Sequence, residues 1–194
     1  ILASFGDMLR VPGTSRSLLD VRGDGGHVKV VYSPLDAVEL AKNSPDQHVV
    51  FFAVGFETTA PTTALAVLQA AQQGLKNFSL LVSHVRVLPV MEALMRAPNC
   101  RVEGFLAAGH VCTVTGFTEY EGFVQRHRTP VVVTGFEPVD LLDGILDCVR
   151  QLESGRVEVT NRYARSVQQV GNEAAQNVVD RVYEIADTHW RGLG

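Results

Sequence analysis

Short apolar runs alternate along this sequence with longer stretches in which apolar residues recur every three or four positions. The clearest run, Val49 to Val54, contains six apolar residues and continues into Gly55-Phe56-Glu57-Thr58-Thr59. Such a run predicts a strand that is buried on both faces. Pro61 suits the first turn of a helix, and Thr59 is a natural cap for the amides that begin it. The segment therefore predicts a strand, a tight turn and a helix.

The same order of features occurs a second time, with Glu137 lying 80 residues after Glu57. Val131 to Val133 precede Gly135-Phe136-Glu137-Pro138, and an amphipathic stretch from Val139 to Leu152 follows. The interval is too long for a solenoid repeat. Two related α/β halves explain the recurrence, and chance reuse of a common strand–turn–helix form is the alternative.

The remaining pattern predicts further strands and helices in alternation. The predicted strands are residues 1–5, 28–32, 78–82, 102–108 and 157–163. One predicted helix starts after Ser33, and the others are residues 89–95, 120–127 and 172–186. The helix at residues 172–186 is expected to bury Ala175, Val178, Val179, Val182 and Ile185. Alternating strands and helices are typical of βαβ units and parallel sheets.

We therefore predict an α/β fold with two similar small domains, residues 1–97 and 98–194, that face each other across a cleft. Each domain is expected to hold a mostly parallel sheet flanked by helices. The chain starts inside a predicted strand and stops at Trp190-Arg191-Gly192-Leu193-Gly194. We expect it to be the central region of a longer protein.

Composition excludes several classes of function. The 194 residues are 46% hydrophobic and 20% charged, as in ordinary globular domains, and suffice for a substantial core. A net charge of −4 and an isoelectric point near 5.9 argue against a nucleic-acid surface. The sequence contains no apolar run long enough to span a bilayer. It also does not open with a signal-peptide pattern. These features predict a cytoplasmic protein that binds neither nucleic acid nor membrane.

The three cysteines are Cys100, Cys112 and Cys148, an odd number without a close pair. This spacing excludes a disulfide framework or a Cys-x-x-Cys metal knuckle within the chain. We interpret Cys100 and Cys148 as small buried apolar residues. Cys112 is distinguished because it follows Gly109-His110-Val111.

Polar residues recur where the predicted strands end. Right-handed crossovers place the carboxyl ends of parallel strands along one sheet edge, where ligands bind in α/β proteins. The residues at these positions are Asp7, Glu57, Thr58, Thr59, His84, His110 and Glu137. Their convergence predicts a cleft lined by acidic and imidazole groups.

Each of these residues also has a structural interpretation. Glu57 and Glu137 can accept bonds at helix starts, where negative charge is favoured by about 0.3–1 kcal/mol. Thr58 and Thr59 can cap a helix, and either histidine can bond to a neighbouring carbonyl. Asp7 and Arg10 can form an ion pair that orders their loop.

Several motifs, in order along the whole chain, resemble those of the hydrogenase formation protein family HypD. They are Phe5-Gly6-Asp7-Met8-Leu9-Arg10-Val11-Pro12-Gly13, Gly55-Phe56-Glu57-Thr58-Thr59-Ala60-Pro61-Thr62-Thr63-Ala64, Ser83-His84, Gly109-His110-Val111, Gly135-Phe136-Glu137-Pro138 and the terminal Trp190-Arg191-Gly192-Leu193-Gly194. The set is far more specific than any single motif.

The resemblance implies a role in the maturation of nickel–iron hydrogenases. Members of this family work with HypC to hold an iron that carries two cyanides and one carbon monoxide, destined for the hydrogenase large subunit, and HypE supplies the cyanide. The family also carries a 4Fe–4S iron–sulfur cluster on C-terminal cysteines and has N-terminal Cys-Gly-Thr-His and Cys-Pro-x-Cys motifs. None of these cysteine motifs lies in this chain. We expect the chain to precede the cluster domain and to hold neither iron nor cluster alone.

The chain departs from the family pattern at two positions. Ala108 stands where proline usually precedes the Gly-His pair, and Cys112 stands where serine is common. The change at Ala108 is expected to loosen the turn that presents His110. The Cys112 thiol either replaces a hydroxyl group or binds iron adventitiously.

The resemblance favours a maturation scaffold over a stand-alone enzyme. We predict catalytic roles for Asp7, Glu57, Thr58, Thr59 and His110, and contacts to the bound iron unit for Met8, Arg10, His84 and Glu137. None of these residues is predicted to ligate the metal. The alternatives are a transferase or lyase with Glu57 and Glu137 as an acid/base pair, and a docking module that contacts HypC through Leu9 to Ser17.

Overall fold

The computed structural model describes residues 1–191, so the last three residues of the terminal motif lie outside the described chain. Its strands are β1 (Leu2–Ser4), β2 (Val28–Val30), β3 (Val49–Gly55), β4 (Phe78–His84), β5 (Phe105–Ala108), β6 (Val131–Thr134) and β7 (Val159–Asn161). Its α-helices are α1 (Leu18–Gly23), α2 (Pro34–Asn43), α3 (Ala60–Gln72), α4 (Val87–Arg96), α5 (Gly109–Thr115), α6 (Thr118–His127), α7 (Pro138–Ser154) and α8 (Glu173–Asp180).

The first sheet has the strand order β2-β1-β3-β4, and all of its pairs are parallel. Along β3, Val49, Phe51 and Ala53 are fully buried and alternate with half-buried residues. The predicted strand is confirmed, but the prediction that both of its faces are buried is wrong. The buried face packs with residues of α2 such as Ala37 and Ala41. β4 lies at one end of this sheet.

The second sheet has the order β5-β6-β7 and is also parallel. Its central strand β6 is buried along its whole length, as a strand between two helical layers should be. Tyr120 and Phe123 of α6 and Met91 of α4 belong to the same core. Two α/β units with parallel sheets and flanking helices are therefore present, as predicted.

The described chain divides into two compact units. The first contains residues 1–55, 59–85 and the described residues from Val178 onward, and the second contains residues 56–58 and 86–177. The predicted cleft between domains and their predicted boundary at residues 97 and 98 stay predictions.

Local signals account for several helix ends. Ser33 caps α2 as expected, because its Oγ accepts from Leu35 N at 3.2 Å while Asp36 Oδ2 accepts from Ser33 N at 2.9 Å. The same capping box at Ser17 and Asp20 begins α1, a helix that we did not predict.

The C-terminal helix differs from its prediction. α8 stops at Asp180, well short of residue 186. Ala175, Val178, Val179 and Val182 are half-buried. Ile185 is 79% exposed, so its predicted burial is wrong, because the helical periodicity no longer applies beyond the end of α8. Throughout residues 1–191, the helices are too short or too polar to cross a membrane.

Candidate functional site

The loop after β1 is ordered by Asp7. Its Oδ1 accepts from Met8 N at 2.9 Å and caps a short 3-10 helix, Met8–Arg10. Leu9 is buried beneath this turn, whereas Asp7 and Arg10 are exposed and Met8 is half-buried. Within residues 1–191, the ion pairs do not include one between Asp7 and Arg10. Asp7 and Arg10 are therefore both exposed to solvent on this loop and do not form an ion pair with each other.

Thr59 and His84 meet at the ends of the adjacent strands β3 and β4. The distance from His84 Nε2 to Thr59 Oγ1 is 3.0 Å, and His84 Nδ1 lies 3.3 Å from the hydroxyl group of Tyr183. Burial lowers the pKa of His84, so the ring is neutral near pH 7. The side chain of Thr59 makes no capping bond to α3, so the prediction that it caps this helix is wrong.

Gly55 makes this approach possible. It has a φ of +151°, which L-residues rarely adopt. A Cβ atom at this position would lie 2.0 Å from Thr59 Oγ1. Sequence reasoning placed Thr59 and His84 at one sheet edge but missed Tyr183, which follows α8 and lies 99 positions from His84.

Glu57 is fixed at the start of α4. Its Oε1 accepts from Val87 N at 2.8 Å, and its Oε2 is buried without a hydrogen-bond partner among the described residues. The structural interpretation of Glu57 as an acceptor at a helix start holds, but the helix is α4 rather than α3. Thr58, beside it, is exposed.

A second carboxyl group, from Glu119 of α6, lies at the same helix start. Arg86 Nη2 donates to Glu119 Oε2 at 2.7 Å, and Glu119 Oε1 is buried and lacks a partner within residues 1–191. Burial raises the pKa of Glu119, the guanidinium of Arg86 lowers it, and the charge of Glu57 raises it further. Sequence reasoning missed Glu119 because an acidic residue in the first turn of a helix is unremarkable.

Cys112 lies inside the second unit. It is fully buried, and it shares a hydrogen bond with the hydroxyl group of Tyr120. Burial raises the pKa of the Cys112 thiol to about 12, so the thiol is protonated near neutral pH. Metal binding requires the thiolate. The observations favour replacement of a hydroxyl group over adventitious iron binding.

His110 and Glu137 lie at the carboxyl edge of the second sheet. His110 is the second residue of α5, and its exposed ring stacks on Phe136 with centroids 4.6 Å apart. The side chain of Glu137 is 76% exposed and pairs with Arg165 at 3.2 Å. Arg165 also pairs with Asp140 at 2.5 Å and lowers the pKa of that carboxyl group. Glu137 is therefore a surface residue held by a cation.

The predicted residues thus fall into separate local groups. Thr59 is joined to His84 and Glu57 to Val87, while His110 and Glu137 flank Phe136. Asp7, Met8 and Arg10 form the loop after β1. A single cleft that contains all of them stays a prediction.

The chain's own thiols do not fit an iron–sulfur cluster. A 4Fe–4S cluster takes four cysteine thiolates, and the sequence contains three cysteines. Of these, Cys112 is buried and protonated. Throughout residues 1–191, histidine, cysteine and acidic side chains form no group of three that could hold a metal ion.

Comparison with known proteins gives a consistent result over the whole chain. A family model described as "HypD: Hydrogenase formation hypA family" matches residues 1–194. The chain is 46% identical to a protein of Azotobacter vinelandii, 45% identical to one of Rhodobacter capsulatus and 42% identical to one of Escherichia coli K12, each named "Hydrogenase maturation factor HypD". All three alignments cover 100% of this chain and 52–53% of the relative. The chain spans about half the length of the curated relatives it matches.

Proposed function

Because this chain belongs to the HypD family of hydrogenase formation proteins, we propose that it is the α/β part of a maturation factor for nickel–iron hydrogenases. The full-length protein acts in the cytoplasm as a scaffold together with HypC. Its cargo is an iron with two cyanides and one carbon monoxide, which is passed on toward the hydrogenase large subunit. Cyanide comes from HypE, and cysteines outside this chain hold the iron and the 4Fe–4S cluster.

The proposed role of this chain rests on how the two carboxylate oxygens of Glu57 are bonded. One carboxylate oxygen is fixed by Val87 N, and the other is buried without a donor among residues 1–191. A buried acceptor without a donor costs about 1–3 kcal/mol. Such groups occur where a ligand, a proton or a water completes the bonding. We assign Glu57 the task of holding or releasing a proton during transfer of the cyanide ligand.

The other predicted residues take supporting roles in this proposal. Asp7, Thr58, Thr59 and His110 supply hydrogen bonds around the cargo. Met8, Arg10, His84 and Glu137 line its path. Asp7, Thr58 and His110 are exposed, which supports contact with a bound group.

Replacement of Glu57 by glutamine tests the proposal. The full-length Glu57→Gln protein, expressed in a strain that lacks its own family member, should yield at least about 100-fold less hydrogenase activity, the usual contribution of a general acid or base. Glu158→Gln is the matched control, because Glu158 is exposed and pairs only with Arg156 among the ion pairs of residues 1–191. Undiminished hydrogenase activity with Glu57→Gln would remove the assignment.

The two alternatives fare differently. An acid/base pair of Glu57 and Glu137 finds no support, because Glu137 is exposed and bound to Arg165. A docking role for Leu9 to Ser17 is supported by the exposure of residues 10–16, including Val11 at 44%. Co-purification of HypC with wild-type protein, but not with Val11→Glu, would assign docking to this loop.

A further inference from the structure

The start of α4 gathers two carboxyl groups from distant parts of the sequence. Arg86 and Val87 are consecutive residues, and each holds one glutamate. The Arg86 guanidinium bonds to Glu119 Oε2 at 2.7 Å, and the Val87 amide bonds to Glu57 Oε1 at 2.8 Å. Each glutamate therefore has one oxygen fixed by a residue at the start of α4.

The second oxygen of each glutamate is buried. Glu57 Oε2 and Glu119 Oε1 are both buried, and neither has a hydrogen-bond donor within residues 1–191. A carboxylate oxygen deprived of water and of donors favours the protonated form of its group. Burial and the charge of Glu57 both raise the pKa of Glu119, so Glu119 is the member of the pair that favours a proton.

The charges around the pair support the same conclusion. Arg86 supplies one positive charge against the two carboxylates. Cys112 and Tyr120 also feel the charges of Glu57 and Glu119, but burial raises the pKa of both groups, which keeps them neutral. With both glutamates ionised, two negative charges are set against the guanidinium of Arg86, the cation that the ion pairs of residues 1–191 place at this site. One added proton makes the group electrically neutral.

We propose that Glu119 is a positioning residue for Glu57, and that the two carboxyl groups share one proton. Glu119 is the reservoir and Glu57 is the group that delivers the proton to the cargo or takes one from it. This inference rests on the proposed function of Glu57. It replaces Glu137 by Glu119 as the acidic partner.

Titration of Glu119 tests the coupling directly. In full-length protein labelled with ¹³C at the glutamate carboxyl groups, the Glu119 signal is the one that Glu119→Gln removes. Glu57→Gln should move the midpoint of this signal to lower pH, because a neighbouring negative charge is lost. Arg86→Met should move it to higher pH, because the compensating positive charge is lost. Glu158→Gln should leave it unchanged.

The result that overturns the inference is a Glu119 midpoint that is the same in wild type and Glu57→Gln. Glutamine keeps a carbonyl oxygen for Val87 N, and a folded spectrum of the variant shows that the site is intact. Hydrogenase maturation provides a second readout. Glu119→Gln should shift its pH profile, and Glu119→Asp should restore the wild-type profile in part.

The two proposals fail separately. Loss of maturation in Glu57→Gln with an unmoved Glu119 midpoint would overturn the coupled pair and keep the proposed function. A moved midpoint with normal maturation would keep the pair and overturn the proposed function.

Discussion

The two Gly-Phe-Glu turns share a sequence but place their glutamates in opposite environments. Glu57 is bound by the amide of Val87 and has a buried oxygen that lacks a donor among residues 1–191. Glu137 is 76% exposed and is bound by Arg165. The same three residues after a strand therefore fix neither the backbone nor the chemistry. Gly55 has a φ of +151°, and Gly135 is not among the positive-φ glycines of residues 1–191. The following helix starts at Ala60 after the first turn and at Pro138 after the second. The neighbours supplied by other elements decide whether the carboxyl group is bound by a backbone amide or by a guanidinium group.

The largest expected change in the free energy of unfolding comes from replacing Gly55, the glycine of the first turn. Gly55→Ala should lower the free energy of unfolding by about 3 kcal/mol, because alanine is strained at its positive φ and would clash with the Thr59 hydroxyl. Urea denaturation measures this loss. Gly23→Ala is the control, since nothing lies within 4 Å of the added methyl group. Equal stability of the Gly55→Ala and Gly23→Ala proteins would contradict the tight contact with Thr59.

Low pH should lower the stability of the second unit, because it protonates Asp147. The guanidinium of Arg162 holds the pKa of this buried carboxyl group at about 2 against an ordinary 3.8. The carboxylate therefore adds about 2 kcal/mol of stability above about pH 4, and this contribution disappears as the pH falls toward 2. Asp147→Asn should be less stable at pH 6, with the difference from wild type shrinking by pH 2.5. A constant difference across this range would show that Asp147 is not ionised in the folded protein.

His84, beside the first turn, should make the stability of the protein depend on pH closer to neutrality than Asp147 does. Burial lowers the pKa of His84, so the unfolded chain binds its proton at a higher pH than the folded chain does. Stability should therefore fall as the pH drops below about 6.5. Urea midpoints at pH 7.5 and 5.5 measure this loss, and His84→Gln should reduce it. An identical pH dependence in the variant would mean that other groups cause the loss.

The smallest effect is expected at the second turn. Glu137→Gln should change the free energy of unfolding by less than about 1 kcal/mol, because exposed ion pairs contribute little. Its partner Arg165 is 50% exposed and keeps its bond to Asp140. Urea denaturation in low and high salt measures the difference. A loss much greater than this would mean that the pair is shielded from solvent and would weaken the contrast between the turns.

Sequence reasoning succeeded where the signals are local. The apolar run before Gly55 predicted β3, and Ser33 with Asp36 marked the start of α2. The capping box at Ser17 would have identified α1 in the same way. Each of these depends on residues a few positions apart.

The partners of the candidate site residues could not be predicted in this way. Glu57 binds an amide 30 positions away, and His84 meets Tyr183 at a distance of 99 positions. Which groups meet depends on how helices pack against strands, and a single sequence carries no local signal for that. The cap predicted for Thr59 failed for the same reason, because the ring of His84 lies close to its hydroxyl group.

The outermost strand of the first sheet has a practical consequence. β4 reads Phe78-Ser79-Leu80-Leu81-Val82-Ser83-His84, without lysine, arginine, acid or proline, and Leu81 and Val82 are about half exposed. Among the described residues its backbone pairs with β3 alone. Strands of this kind recruit foreign chains unless charge or proline protects them. This chain, purified by itself, should therefore aggregate less in dilute than in concentrated solution. Val82→Lys should reduce this aggregation, because it places a charge on the edge strand.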